Sequence, residues 1–114
     1  MSTPLVIYVD VDDTLVRSVG SKSIPIGIVV DHVRALAADG AVLYCWSSGG
    51  SEYARSVAES LGLARCFVAF MPKPLVMIDD QSTSEWRRLL QIHPAQCSNW
   101  TAEQYRQAIE NGVL

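Results

Sequence analysis

Asp10, Asp12 and Asp13 crowd together directly behind the apolar run Leu5-Val6-Ile7-Tyr8-Val9. A continuous apolar, β-branched run of this kind reads as a strand covered on both faces. Anions have no place inside such a strand, because each costs several kcal/mol to desolvate unless it is paired or bound to a cation. The cluster therefore belongs at the strand's carboxyl end, where open parallel α/β sheets form their ligand crevice. A chain built this way must supply further strands beside the first and helices to cover them.

The rest of the sequence alternates accordingly. A polar stretch runs from Val16-Arg17 through Ser23. Ile28 to Ala38 reads as a helix stopped at Gly40, with Val29, Val33 and Leu36 on one face. Ala41 to Trp46 is a second buried strand. Ser47-Ser48-Gly49-Gly50 opens another helix, whose Ala54, Val57, Ala58 and Leu61 repeat at helical spacing before Gly62. Arg65 to Phe70 looks like a strand, and Leu75-Val76-Met77-Ile78 is a short apolar run closed by Asp79-Asp80. A helix is expected over Ser84 to Leu90 with Trp86, Leu89 and Leu90 inward, then a strand from Leu90 to His93. Thr101 and Gln104 form a capping box for a last helix to about Asn111. The alternation predicts a single α/β domain over residues 1–114, a Rossmann-like three-layer fold with a mainly parallel sheet.

Composition narrows the function. With 114 residues, 49 % of them apolar and 18 % charged, the chain has enough core for one domain and is not disordered. A net charge of −3 argues against a nucleic-acid binder, which would carry a basic stripe. No stretch approaches the roughly 18 apolar residues of a membrane span, and the first apolar run lacks the basic flank of a signal peptide. Cys45, Cys66 and Cys97 have neither metal-ligand nor redox spacing, which fits reduced thiols in the cytoplasm. His32 and His93 read as structural or solvent-facing, and Trp86 and Trp100 as packing. Trp46, next to Ser47, reads as core.

If the strands run parallel, Asp10, Ser47 and Asp79 all lie at one edge of the sheet. Hard oxygen donors without His or Cys nearby favour Mg²⁺ over zinc. Backbone N–H groups at Ser48, Gly49 and Gly50 open a helix, a setting suited to phosphate. A metal, an anion pocket and a carboxylate nucleophile together are the apparatus of phosphoryl transfer through an aspartyl-phosphate.

These residues resemble the haloacid dehalogenase superfamily of phosphohydrolases over nearly the whole chain. Val6-Ile7-Tyr8-Val9-Asp10-Val11-Asp12-Asp13-Thr14-Leu15 matches its first motif, Tyr44-Cys45-Trp46-Ser47 its second, and Met77-Ile78-Asp79-Asp80 its fourth. The resemblance implies that Asp10 is the nucleophile and a metal ligand. Asp12 would be the general acid and then the base, its carbonyl also on the metal. Ser47 would bind the phosphoryl group with the Ser48 amide, and Asp79 and Asp80 would hold Mg²⁺. Thr14 would brace the loop. An acid two residues after the nucleophile favours a phosphatase, acting on a phosphorylated small molecule or macromolecule. A receiver domain would need an aspartate where Ser47 stands.

The family's third motif is a lysine, and only Lys22 and Lys73 exist. Sequence order nominates Lys73. A strand over Leu75–Ile78 would nevertheless carry it to the opposite edge, roughly 20 Å from Asp79 at about 3.3 Å per residue. Lys22 is the alternative, with Arg17 or Arg55 as substitutes. Arg17 to Ser23 is long enough for a flap but not for a cap domain. An open site of this kind is compatible with a large substrate, with assembly of identical subunits, or with a catalytically weak protein that binds a phosphorylated ligand.

Overall fold

The computed structural model describes residues 3–111. Three parallel strands, β1 (Val6–Asp10), β4 (Val42–Ser47) and β5 (Phe67–Pro72), form a sheet in the order β1-β4-β5. Between β1 and β4 come an antiparallel hairpin, β2 (Val16–Val19) with β3 (Lys22–Pro25), and helix α1 (Gly27–Ala38). Helix α2 (Ser51–Ser60) joins β4 to β5, and α3 (Ala102–Glu110) closes the described chain. The flap expected after the first carboxylates is this hairpin, exposed along most of its length.

Register brings the strand ends together. Val6 pairs with Val42 and Asp10 with Trp46, while Ser47 pairs with Pro72. Asp10, Ser47 and the residue after Pro72 therefore share one edge of the sheet. Right-handed crossovers taken twice in one direction put α1 and α2 on the same face. Burial along β4 follows this, with Leu43, Cys45 and Ser47 buried and Val42, Tyr44 and Trp46 only partly so. On the second face Tyr8 lies against Tyr44 and Trp46, with ring centroids 5.2 Å and 4.9 Å apart, and keeps 48 % of its surface exposed.

The core follows from the helical periodicity. Val29, Val30, Val33 and Leu36 form the inward stripe of α1, and each such side chain stabilises by about 1.5–3 kcal/mol when fully buried. Ala54 and Ala58 of α2 are fully buried, and their small size lets that helix pack closely on β4 and β5. At the other end, Thr101 Oγ1 accepts from the Gln104 N–H at 3.1 Å and Gln104 Oε1 from the Thr101 N–H at 2.9 Å, completing the expected capping box. α3 docks on α1 through a 2.8 Å hydrogen bond between His32 Nε2 and the Tyr105 hydroxyl, with Trp100 stacked on the Tyr105 ring. Of the two roles expected for His32, structural or solvent-facing, it takes the structural one.

The downstream segment departs from expectation. Leu75–Ile78 is not a strand, and Leu75 and Ile78 are 100 % and 99 % exposed. The reason is connection length: β5 ends at Pro72, and Lys73-Pro74 cannot make a parallel crossover, which takes about 10–12 residues. The helix expected over Ser84–Leu90 reduces to a single 3₁₀ turn at Thr83–Glu85. Of the three residues expected inward, Leu89 is exposed and Trp86 and Leu90 are only half-buried, too little apolar cover to hold so short a helix. No strand forms over Leu90–His93; Leu90 and Ile92 pack at the margin of the core. No helix among the described residues is long and apolar enough to cross a membrane.

Candidate functional site

The site lies at the carboxyl edge of the sheet and begins with the turn after β1. Val11 and Leu15 are fully buried and pin the turn from inside. The Val11 carbonyl accepts from the N–H groups of Thr14, Leu15 and Val16 at 2.9–3.2 Å, winding the chain tightly. Asp13 adopts φ 59°, the left-handed region that aspartate tolerates better than most residues. Asp12 and Asp13 are thereby turned outward, while Asp10 stays half-buried at the strand end.

Both oxygens of Asp10 have partners. Lys73 Nζ lies 3.1 Å from Oδ1, and the Thr14 hydroxyl donates to Oδ2 at 3.3 Å. Lys73 is fixed from behind, because its N–H donates to the Ser47 carbonyl at 2.9 Å, continuing the ladder past Pro72. Both partners of the ion pair are about one-third exposed, so it contributes less than about 1 kcal/mol to stability. Its consequence is placement, with a cation against the carboxylate expected to act as nucleophile. The distance objection to Lys73 is removed with the strand that motivated it: Lys73 follows β5 directly, at the same edge as Asp10. Arg55 lies over the Phe70 ring at 4.8 Å, and Lys22 and Arg17 lie exposed on the hairpin.

Ser47 is buried, and its Oγ accepts from the Gly49 N–H at 3.0 Å. The Gly49 amide, expected to face a phosphate, is taken up by this bond. Ser48 stays exposed beside it. Behind the edge, burial and then the Asp10 charge push the Cys45 thiol up to about 12, so it stays protonated and inert.

Tyr53 was not among the residues the sequence singled out. Its hydroxyl donates to Asp12 Oδ1 at 2.6 Å. That hydrogen bond, then burial and the Asp12 charge, raise the Tyr53 phenol above its ordinary range. The available signal was an aromatic in the first helical turn, four positions after Gly49 and off the Ala54–Ala58 face.

Asp79 and Asp80 do not join this constellation. Both are exposed, and Asp79 Oδ1 accepts from the Gln81 N–H at 2.9 Å in a local turn. Among the described residues no group of three or more His, Cys, Asp or Glu side chains could hold a metal ion. The expected convergence of Asp10, Asp12, Asp79 and Asp80 is therefore not found, for the same reason that residues 75–78 form no strand.

No family model, curated protein or solved structure matches the chain.

Proposed function

We propose that this chain is a phosphohydrolase that cleaves a phosphomonoester through an aspartyl-phosphate on Asp10. The observation that carries the reading is the 3.1 Å contact of Lys73 with Asp10, at the sheet edge where Ser47 also ends its strand. A carboxylate attacking a phosphate dianion needs a fixed cation to offset the repulsion, and Lys73 is in place to supply it.

In this reading an Asp10 oxygen attacks phosphorus, and the bond to the ester oxygen breaks with its electron pair. The leaving oxygen takes a proton from Asp12, giving an alcohol and the aspartyl-phosphate. Asp12 then removes a proton from water, whose oxygen attacks phosphorus. The bond to Asp10 breaks, releasing inorganic phosphate and restoring both carboxyl groups. Ser47, with the Ser48 amide, would hold the non-bridging oxygens.

Magnesium belongs to the proposal only through the oxygen donors of Asp10 and Asp12, and no step is routed through it. The reading brings with it a Rossmann-like scaffold whose second helical layer would lie over Tyr8, Tyr44 and Trp46. It also brings a cytoplasmic setting, where the free thiols of Cys45, Cys66 and Cys97 would stay reduced. The substrate would be a phosphorylated small molecule or macromolecule reaching an uncapped site.

One observation favours a second reading, a binder of phosphorylated ligands with little turnover: Asp79 and Asp80 are exposed, and among the described residues they form no metal-holding group with Asp10 and Asp12. Hydrolysis of 4-nitrophenyl phosphate with Mg²⁺ separates the two. Turnover that disappears in Asp10→Asn supports the enzyme. Inert wild-type protein that still binds phosphate supports the binder.

A further inference from the structure

We infer that Tyr53 is a positioning residue that aims the Asp12 carboxyl at the leaving oxygen; the inference rests on the phosphohydrolase reading. Asp12 is exposed on an outward turn, where a short acidic side chain would otherwise sample several rotamers. The Tyr53 hydroxyl reaches it at 2.6 Å from the first turn of α2, 41 positions along the chain. Gly49 makes the reach possible. A Cβ at that position would lie 2.8 Å from Tyr53 Cδ2 and 3.2 Å from Cγ, so any other residue would force the ring away. The same Gly49 donates to Ser47 Oγ. The phenol thus straps the Asp12 turn to the Ser47 turn and sets the acid relative to the phosphoryl-binding hydroxyl.

A hydrogen bond to one carboxyl oxygen leaves the other to carry and deliver the proton. Delivery matters unequally among substrates. An alkoxide leaves only as its alcohol, whereas 4-nitrophenolate departs without a proton. Loss of aim should therefore be seen in the first class and not in the second.

The test compares kcat and KM of wild type and Tyr53→Phe on propyl phosphate and 4-nitrophenyl phosphate, both with Mg²⁺. The expected result is a fall of about tenfold or more in kcat for the alkyl ester, the scale of one charge-assisted hydrogen bond. KM and the aryl-ester rate should hold. Equal falls for both esters would make Tyr53 a merely structural residue and overturn the inference. Wild-type protein inert toward both esters would overturn the phosphohydrolase reading and the inference with it. A thermal-unfolding double-mutant cycle between Tyr53→Phe and Asp12→Asn reads the contact without turnover. Strict additivity there overturns the inference, and a non-zero coupling supports it.

Discussion

Two stretches of this chain look alike on paper and fold differently. Val6–Asp10 and Met77–Asp80 are each apolar residues followed by aspartate. The first is a strand whose terminal carboxylate meets a lysine and a threonine, and the second is an exposed coil whose carboxylate closes a local turn. The difference lies in what connects them to their neighbours. β1 and β4 are separated by α1, and β4 and β5 by α2, long enough for the chain to return to the start of the sheet. Two residues, Lys73 and Pro74, separate β5 from Leu75. A pattern of hydrophobicity nominates a strand, and the length of its connection decides whether it can join the sheet.

The comparison can be broken most decisively at the carboxylates. On the proposed phosphohydrolase reading, Asp10→Asn should lower phosphomonoester turnover by about a thousandfold or more, the scale of a lost nucleophile. Asp79→Asn and Asp80→Asn should each stay within a few-fold of wild type. Steady-state rates on 4-nitrophenyl phosphate decide, and equal losses at all three positions would mean that the downstream segment reaches the site during turnover.

Stability offers a second contrast. Leu43 is fully buried in β4, and Leu43→Ala should cost about 2–5 kcal/mol by cavity formation. Ile78→Ser, at a side chain almost wholly in solvent, should change denaturant stability by about 0.5 kcal/mol or less. A large loss at Ile78 would show that it is buried in solution.

The smallest expected effect is a pH dependence seated away from both regions. Burial lowers the His32 imidazole below its ordinary 6.5. A base whose folded value is depressed favours folding while neutral. Its contribution is complete above 6.5 and declines as pH falls toward the lower folded value, because the unfolded chain binds the proton first. Wild-type Tm should therefore drop between pH 7 and pH 5 more than that of His32→Gln, as read by calorimetry. Identical slopes would mean that the α1–α3 contact is not linked to protonation.

Much of the candidate edge was legible in the sequence because local rules govern it. The strand ends at Asp10 and Ser47, the helix over Ile28–Ala38 and the Thr101–Gln104 capping box depend on periodicity and nearby hydrogen bonds. Lys73 was named on order alone and opposed on distance, and the opposition failed because it assumed a strand over Leu75–Ile78. Tyr53 was not legible. Its partner lies far away in sequence, and what brings them together is the register of β1 against β4 and the missing side chain at Gly49. The Ser84–Leu90 segment forms no helix because amphipathic spacing does not tell how much of an apolar face will be covered, and here Trp86 and Leu90 are only half-buried.

Lys73 owes its place to the six residues of β5. Side chains along a strand point alternately to opposite sides, so deleting or inserting one residue within Phe67–Pro72 would turn the ammonium group away from Asp10. Length changes in this stretch should therefore be far less tolerated than in the exposed turn at Gly20-Ser21. An engineer seeking a place to graft a recognition loop would choose that turn and leave the spacing from Leu63 to Lys73 untouched.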